Sequence, residues 1–144
     1  MIPKFRARDQ RGNWHIGLLT FMFGQYAIVN EADENTVYLI DKETIGQSTG
    51  LKDGNGVEIF EGDVVNIHWF YTDYDPETLG AIKNEATAEK VVITKEFGNL
   101  GFWWNSGDDW VDLATLALTV QLHEESFELL GNIHENPELL EGSE

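Results

Sequence analysis

No cysteine occurs anywhere in the 144 residues, which removes disulfides, thiolate nucleophiles and zinc-thiolate centres together. No apolar run approaches the ~18–20 residues of a membrane-spanning helix. The opening Met1-Ile2-Pro3-Lys4-Phe5-Arg6-Ala7-Arg8 has no apolar signal region. Positive charge also runs out, since no Lys or Arg follows Lys95. These absences predict a soluble, cytoplasmic protein with no membrane association.

Net charge is −17 and unevenly spread. Residues 1–30 hold Lys4, Arg6, Arg8 and Arg11 against Asp9, a balance of +3, so the remaining 114 residues carry −20. A field of that sign repels phosphate backbones, and direct nucleic-acid binding is not expected outside the N-terminal strip. Acid-rich surfaces usually just confer solubility. A sharper reading is a surface that imitates nucleic acid toward a basic partner protein.

Present in quantity are aromatics: five Trp, eight Phe and four Tyr within a chain that is 42% hydrophobic. That composition lies well above chains that stay disordered for want of a core. At this length, residues 1–144 suit one domain that buries roughly two-thirds of its unfolded surface.

The pattern of apolar residues favours strands. Phe5 and Ala7 alternate with charged neighbours, a polar break at residues 9–13 follows, and Trp14 to Leu19 returns, so an opening hairpin is expected. Residues 26–29 and 36–40 read as a second pair. Asp53-Gly54 and Asn55-Gly56 supply the positive-φ positions of a tight turn between residues 47–51 and 57–60. After Gly62, the run Val64 to Tyr71 is short, β-branched and aromatic, the strongest strand in the chain. Residues 72–89, with Pro76 and Gly80, show no period and are read as a long loop or insertion. Residues 91–97 and 102–105 form another hairpin about Gly98-Asn99-Leu100-Gly101. Asp112 is placed to cap one or two helical turns ending near Leu118. Residues 127–133 give a last strand, Asn136 is placed to cap a terminal helical turn that Pro137 opens, and residues 141–144 are expected to fray. The predicted fold is mainly β: a small curled sheet or SH3-like barrel built from hairpins, its core within residues 49–133, with one or two short helices.

Motifs for chemistry are sparse. Asp53-Gly54-Asn55-Gly56 resembles the opening of a calcium loop, but its twelfth position falls on Val64, where a bidentate acid is required. His15, His68, His123 and His134 lack ligand spacing. Ser48, Ser106 and Ser126 sit in no nucleophile-elbow sequence. Asp73 and Asp75 flank Tyr74, and Asp108, Asp109 and Asp112 crowd around Trp110; the latter group is the candidate for a small metal-dependent enzyme. Neither has diagnostic spacing, so no catalytic residue, metal ligand or cofactor is assigned.

Alternation places Trp69 and Tyr71 on one side of their strand and His68 and Phe70 on the other, and it separates Phe102 and Trp104 from Trp103. Both strand faces are therefore aromatic, and one needs a cover beyond the core. The candidate interaction surface is Trp69, Tyr71, Trp103, Trp104 and Trp110, together with the loop after Tyr71.

Four blocks resemble the YopX family of bacteriophage and prophage proteins. They are Lys4-Phe5-Arg6-Ala7; Thr49 to Asp53 with Asn55-Gly56; Glu58-Ile59-Phe60-Glu61-Gly62-Asp63-Val64-Val65; and Gly131 to Leu140. Arg8 stands where an aromatic is usual, His134 where a Tyr is, and residues 72–89 match no part of the pattern. The resemblance implies a mostly β protein acting in the host cytoplasm as a homo-oligomer, with no catalytic residues. Sequence and resemblance together give a non-enzymatic accessory protein that acts through contacts with itself or with a host or phage protein.

Overall fold

The computed structural model describes residues 3–33, 35–104, 107–119, 122 and 126–140. His123, Asn105, Ser106 and the tail 141–144, on which some expectations fell, lie outside the described residues. The chain is mainly β, with antiparallel sheets and one short α-helix, as its alternation predicts. It divides into two compact units, Met1–Gly50 and Leu51–Glu144, where its length alone suggests one domain. The apolar residues sort accordingly into two separate clusters.

The first unit holds β1 (Phe5–Arg8), β2 (Trp14–Met22), β3 (Gln25–Asn30), β4 (Val37–Leu39) and the start of β5 (Gly46–Lys52). They lie in the order β4-β3-β2-β1-β5. Asp9 builds the β1–β2 turn: its Oδ1 accepts the backbone N–H groups of Arg11 and Asn13 at 2.9 and 3.0 Å. Gly17 is required in β2, because a Cβ there would stand 1.7 Å from the Val29 carbonyl oxygen. Period-two alternation turns Ala7, Leu19, Ile28 and Tyr38 to one face, where they pack with Phe5, Ile40 and Ile45.

Crossing the division, β5 is returned by β6 (Glu58–Phe60) in a hairpin. Asp53, nearly buried, accepts the N–H groups of Asn55 and Val57 at 2.9 Å each. The Asp-Gly-Asn-Gly block is therefore a side-chain-stapled turn. The second unit continues with two three-stranded sheets. One has β12 (Phe127–Asn132), β7 (Asp63–Tyr74) and β8 (Ala81–Val92) in the order β12-β7-β8. The other has β9 (Thr94–Glu96), β10 (Asn99–Trp104) and β11 (Asp109–Asp112) in the order β11-β10-β9. Their core gathers Ile59, Val65, Ile67, Trp69, Ala88, Ile93, Phe102 and Phe127, with Leu113 and Leu116 of α1 (Leu113–Thr119). Asp112 caps that helix, accepting the Thr115 N–H at 3.1 Å, as its position predicts.

Three expectations are corrected. No closed barrel forms among the described residues, because the strands of 49–133 divide among separate sheets. Residues 72–89 are not a structureless loop: most of them complete β7 and β8, leaving only the turn at 75–80. Their period is hidden because both faces there meet water, so hydropathy does not alternate. Pro137 opens a 3-10 turn (Pro137–Leu140), but the Asn136 Oδ1 accepts the Asn132 N–H at 3.3 Å instead of capping that turn.

Candidate functional site

Several side chains with catalytic potential in the second unit are engaged in holding backbone. Asp63, buried, accepts the Phe60 N–H at 2.8 Å. Asn132 accepts those of His134 and Glu135 at 2.9 Å each. Asp109 and Asp112 lie at opposite ends of β11, three residues apart and so on opposite faces, which disperses the acidic cluster around Trp110. Among the described residues no three His, Cys, Asp or Glu side chains come together closely enough to hold a metal.

What the second unit does present is an arm. Among the described residues β12 pairs with β7 from Asp63 to Ile67, whereas β8 follows β7 as far as Tyr74↔Ala81. Beyond Ile67 the described strands form a two-stranded ribbon that stays on the core through Trp69, and the residues from Phe70 to Tyr74, at ~3.3 Å each, extend it by ~17 Å. At its root a β-bulge sets Glu89 and Lys90 opposite Asn66. Lys90 takes φ 51°, its N–H donates to Asn66 Oδ1 at 2.9 Å, and Asn66 Nδ2 donates to Glu128 Oε1 at 2.8 Å. Asn66 thus ties all three strands where the third one stops.

The register sorts the ribbon into two faces. His68, Phe70, Thr72 and Tyr74 share one with Lys83 and Glu85. There His68 Nε2 lies 2.9 Å from Glu85 Oε2, and the Lys83 ammonium sits 4.9 Å from the Phe70 ring centroid. The other face begins at Trp69, which is 5% exposed and packs edge-on against Trp104 at 5.1 Å. It continues through the exposed Tyr71 and Ile82. The tip is more open still: Tyr74 is 67% and Leu79 78% exposed. Its turn is held by Asp75, whose Oδ1 accepts the Glu77 N–H at 2.9 Å and whose carbonyl accepts that of Leu79 at 2.8 Å. Asp73, Asp75 and Glu77 lie close to Tyr74 and Leu79 in sequence, and the nearest cation across the ribbon is Lys83, opposite Thr72.

The five aromatics singled out from sequence are therefore separated by the fold. Trp69 is core, and Trp104 is half-buried against it. Trp103 is exposed and leans on the half-buried Trp110, centroids 5.2 Å apart, over Gly101, where a Cβ would meet the Trp110 ring at 2.8 Å. Trp103 and Trp104 border an open groove of about 710 Å³ with Thr87, Lys90, Val92 and Thr94. Tyr71 belongs to the arm. Sequence reading missed Tyr74, Leu79 and Ile82, which fell in the supposed loop; the available signal was Asp75-Pro76 and Gly80 as turn residues between two strand-length segments.

Electrostatic anchoring is clearest in the first unit. The His15 ring, 2.8 Å from Asp9 Oδ2, and the Asn13 and Arg11 N–H groups lower the Asp9 carboxyl from 3.8 to about 2. Asp33 is lowered by the Thr36 hydroxyl and the Asn35 N–H. Both groups organise turns.

The family model described as "YopX protein" matches residues 4–141. No curated protein matches the chain. Among solved structures, the one titled "Crystal structure of protein EF1440 from Enterococcus faecalis" is 29% identical over 98% of this chain and 99% of that one, with a TM-score of 0.49.

Proposed function

The chain belongs to the YopX family, and from that premise we propose that it is a non-enzymatic phage or prophage accessory protein of the host cytoplasm that works by protein–protein contact, with the β7–β8 arm as its contact element. The observation that carries this reading is the two-stranded stretch beyond Ile67, with Tyr74 and Leu79 at its tip. An isolated two-stranded ribbon is marginal in water, and large apolar side chains on a projecting tip are typical of contact anchors. Support comes also from the engagement of Asp53, Asp63, Asp112 and Asn132 with backbone N–H groups, which gives these side chains a structural task.

The test is the double substitution Tyr74→Ser/Leu79→Ser. Far-UV circular dichroism and the urea midpoint stay within experimental error of the wild type, because neither side chain is in the core. In-cell cross-linking with the wild-type chain captures discrete complexes, and the variant loses them. Identical cross-linked complexes from both chains would reject the arm as the contact element.

A further inference from the structure

We infer that the groove bordered by Trp103 and Trp104 is a binding site for a neutral carbohydrate chain. The groove lies wholly within the second unit and away from the arm tip, so its role does not depend on the arm being the contact element.

Of the five Trp, Trp103 alone is exposed, at 40%. Its position is set by a second ring: the register of β10 and β11 puts it opposite Trp110, the centroids are 5.2 Å apart, and Trp110 occupies the space over Gly101. A ring braced in this way and left open to water loses little conformational freedom when a ligand covers it. Around it the groove, about 710 Å³, is bordered by Thr87, Glu89 and Lys90 of β8 and by Thr94 of β9. None of these four side chains has a hydrogen-bond or ion-pair partner among the described residues. Elsewhere in the unit Asp53, Asp63, Asn66 and Asn132 are all engaged in holding backbone.

The mixture of groups selects the ligand. One carboxylate, one ammonium and two hydroxyls, unpaired with each other, suit an uncharged molecule that donates and accepts hydrogen bonds at many points. Residues 51–144 hold four Lys and no Arg against 20 Asp and Glu, and that field disfavours a polyanion such as nucleic acid or an acidic glycan. An extended peptide would have to pair with the outer edge of β8. There the bulge at Glu89 and Lys90, with its lysine, interrupts the regular row of backbone groups that an added strand requires. A chain of neutral sugars meets each condition: the apolar C–H face of one ring covers the Trp103 indole, and its hydroxyls reach the polar rim. An open groove also accommodates a chain, where a closed pocket would take a single ring.

The experiment follows the amide resonances of the full-length, isotopically labelled chain during titration with four neutral hexasaccharides: cellohexaose, maltohexaose, laminarihexaose and N-acetylchitohexaose. At least one gives saturable shifts concentrated at residues 87–94 and 103–104, and its affinity is the same at low and high salt because no net charge is paired. Trp103→Ala lowers that affinity by about tenfold or more. Trp103→Phe, which keeps a ring, lowers it less, and Glu89→Ala lowers it by about threefold. Tyr74→Ser/Leu79→Ser leaves it unchanged, so the groove and the arm are read separately.

The absence of saturable shifts from all four sugars at millimolar concentration overturns the inference. So does wild-type affinity in both Trp103→Phe and Glu89→Ala, the two variants that carry the test should Trp103→Ala fail to give the wild-type circular dichroism spectrum. Hexalysine is the competing probe. If it shifts the same amides with a steep salt dependence while the sugars do not, the groove belongs to a basic protein segment and the carbohydrate assignment fails.

Discussion

Asn66 Oδ1 accepts the Lys90 N–H at 2.9 Å and closes the bulge at which the arm leaves its sheet. The same side chain reaches Glu128 on the other neighbouring strand. One amide therefore fixes the point where three strands become two, and the direction of the arm depends on it.

Asn66→Ala is expected to cost ~1–2 kcal/mol, the value of losing partly exposed hydrogen bonds that hold an irregular backbone. Lys90→Gly is expected to be neutral or to stabilise by up to ~1 kcal/mol, because glycine adopts φ 51° without the Cβ penalty. Urea unfolding checks both. A stabilising Asn66→Ala, or a Lys90→Gly that costs more than Asn66→Ala, would contradict the assigned role of the bulge.

Two hairpins end in a Phe-Gly pair where Asn-Gly would be the favoured choice. Met22↔Gln25 and Glu96↔Asn99 are the closing pairs, so Phe23-Gly24 and Phe97-Gly98 are two-residue loops with all four φ values positive. Phe23 is 90% and Phe97 84% exposed, so neither ring repays the strain by burial. Phe23→Asn and Phe97→Asn should each stabilise the chain by up to ~1 kcal/mol, read as a rise in thermal midpoint. A fall in that midpoint for both would contradict the assignment of strain to these two loops.

Asp63 is buried and takes the Phe60 N–H, and Asp53 takes those of Asn55 and Val57. Asp63→Ala should cost ~1–3 kcal/mol by leaving a buried donor without its acceptor. Asp53→Ala should fall in the same range, and both should show in equilibrium denaturation. A substitution at either position with no measurable cost would separate these side chains from the turns.

Acid should act on the β1–β2 turn through Asp9. Its carboxyl is held at about 2 against an ordinary 3.8, first by His15 and then by backbone N–H groups, so the charged form is the one that folding favours. The contribution is complete above pH ~4 and is lost as pH falls toward 2. In a carboxyl-resolved NMR titration Asp9 should show its midpoint far below that of an unpaired aspartate. In Asp9→Asn this acid-dependent part of the stability should vanish. An Asp9 midpoint near 3.8 would contradict the geometry.

Much of this architecture could be read from the amino acids, and for identifiable reasons. The hairpins around Gly12, Asp53-Gly54-Asn55-Gly56 and Gly98 announce themselves because each needs a positive φ that its residues supply. Asp112 announces α1 because a capping carboxylate precedes helical spacing. Three of the blocks that carry the family resemblance include Asp53, Asp63 and Asn132, which hold turns, and this is why those blocks identify a fold. Trp69 could not be told from Tyr71 by alternation, since the two share a face and differ only in how far along the ribbon the core extends. The arm itself was hidden because strands wet on both sides have no hydropathic signature. The strand Asp109–Asp112 was masked by its acids, which read as a cluster until register set them apart.

Backbone hydrogen exchange of the wild-type chain, followed residue by residue in dilute solution, tests the central claim most directly. The account predicts that amides in residues 70–84 exchange quickly, while residues 63–67 and 127–132 are protected. Arm protection as high as that of residues 63–67 would contradict it.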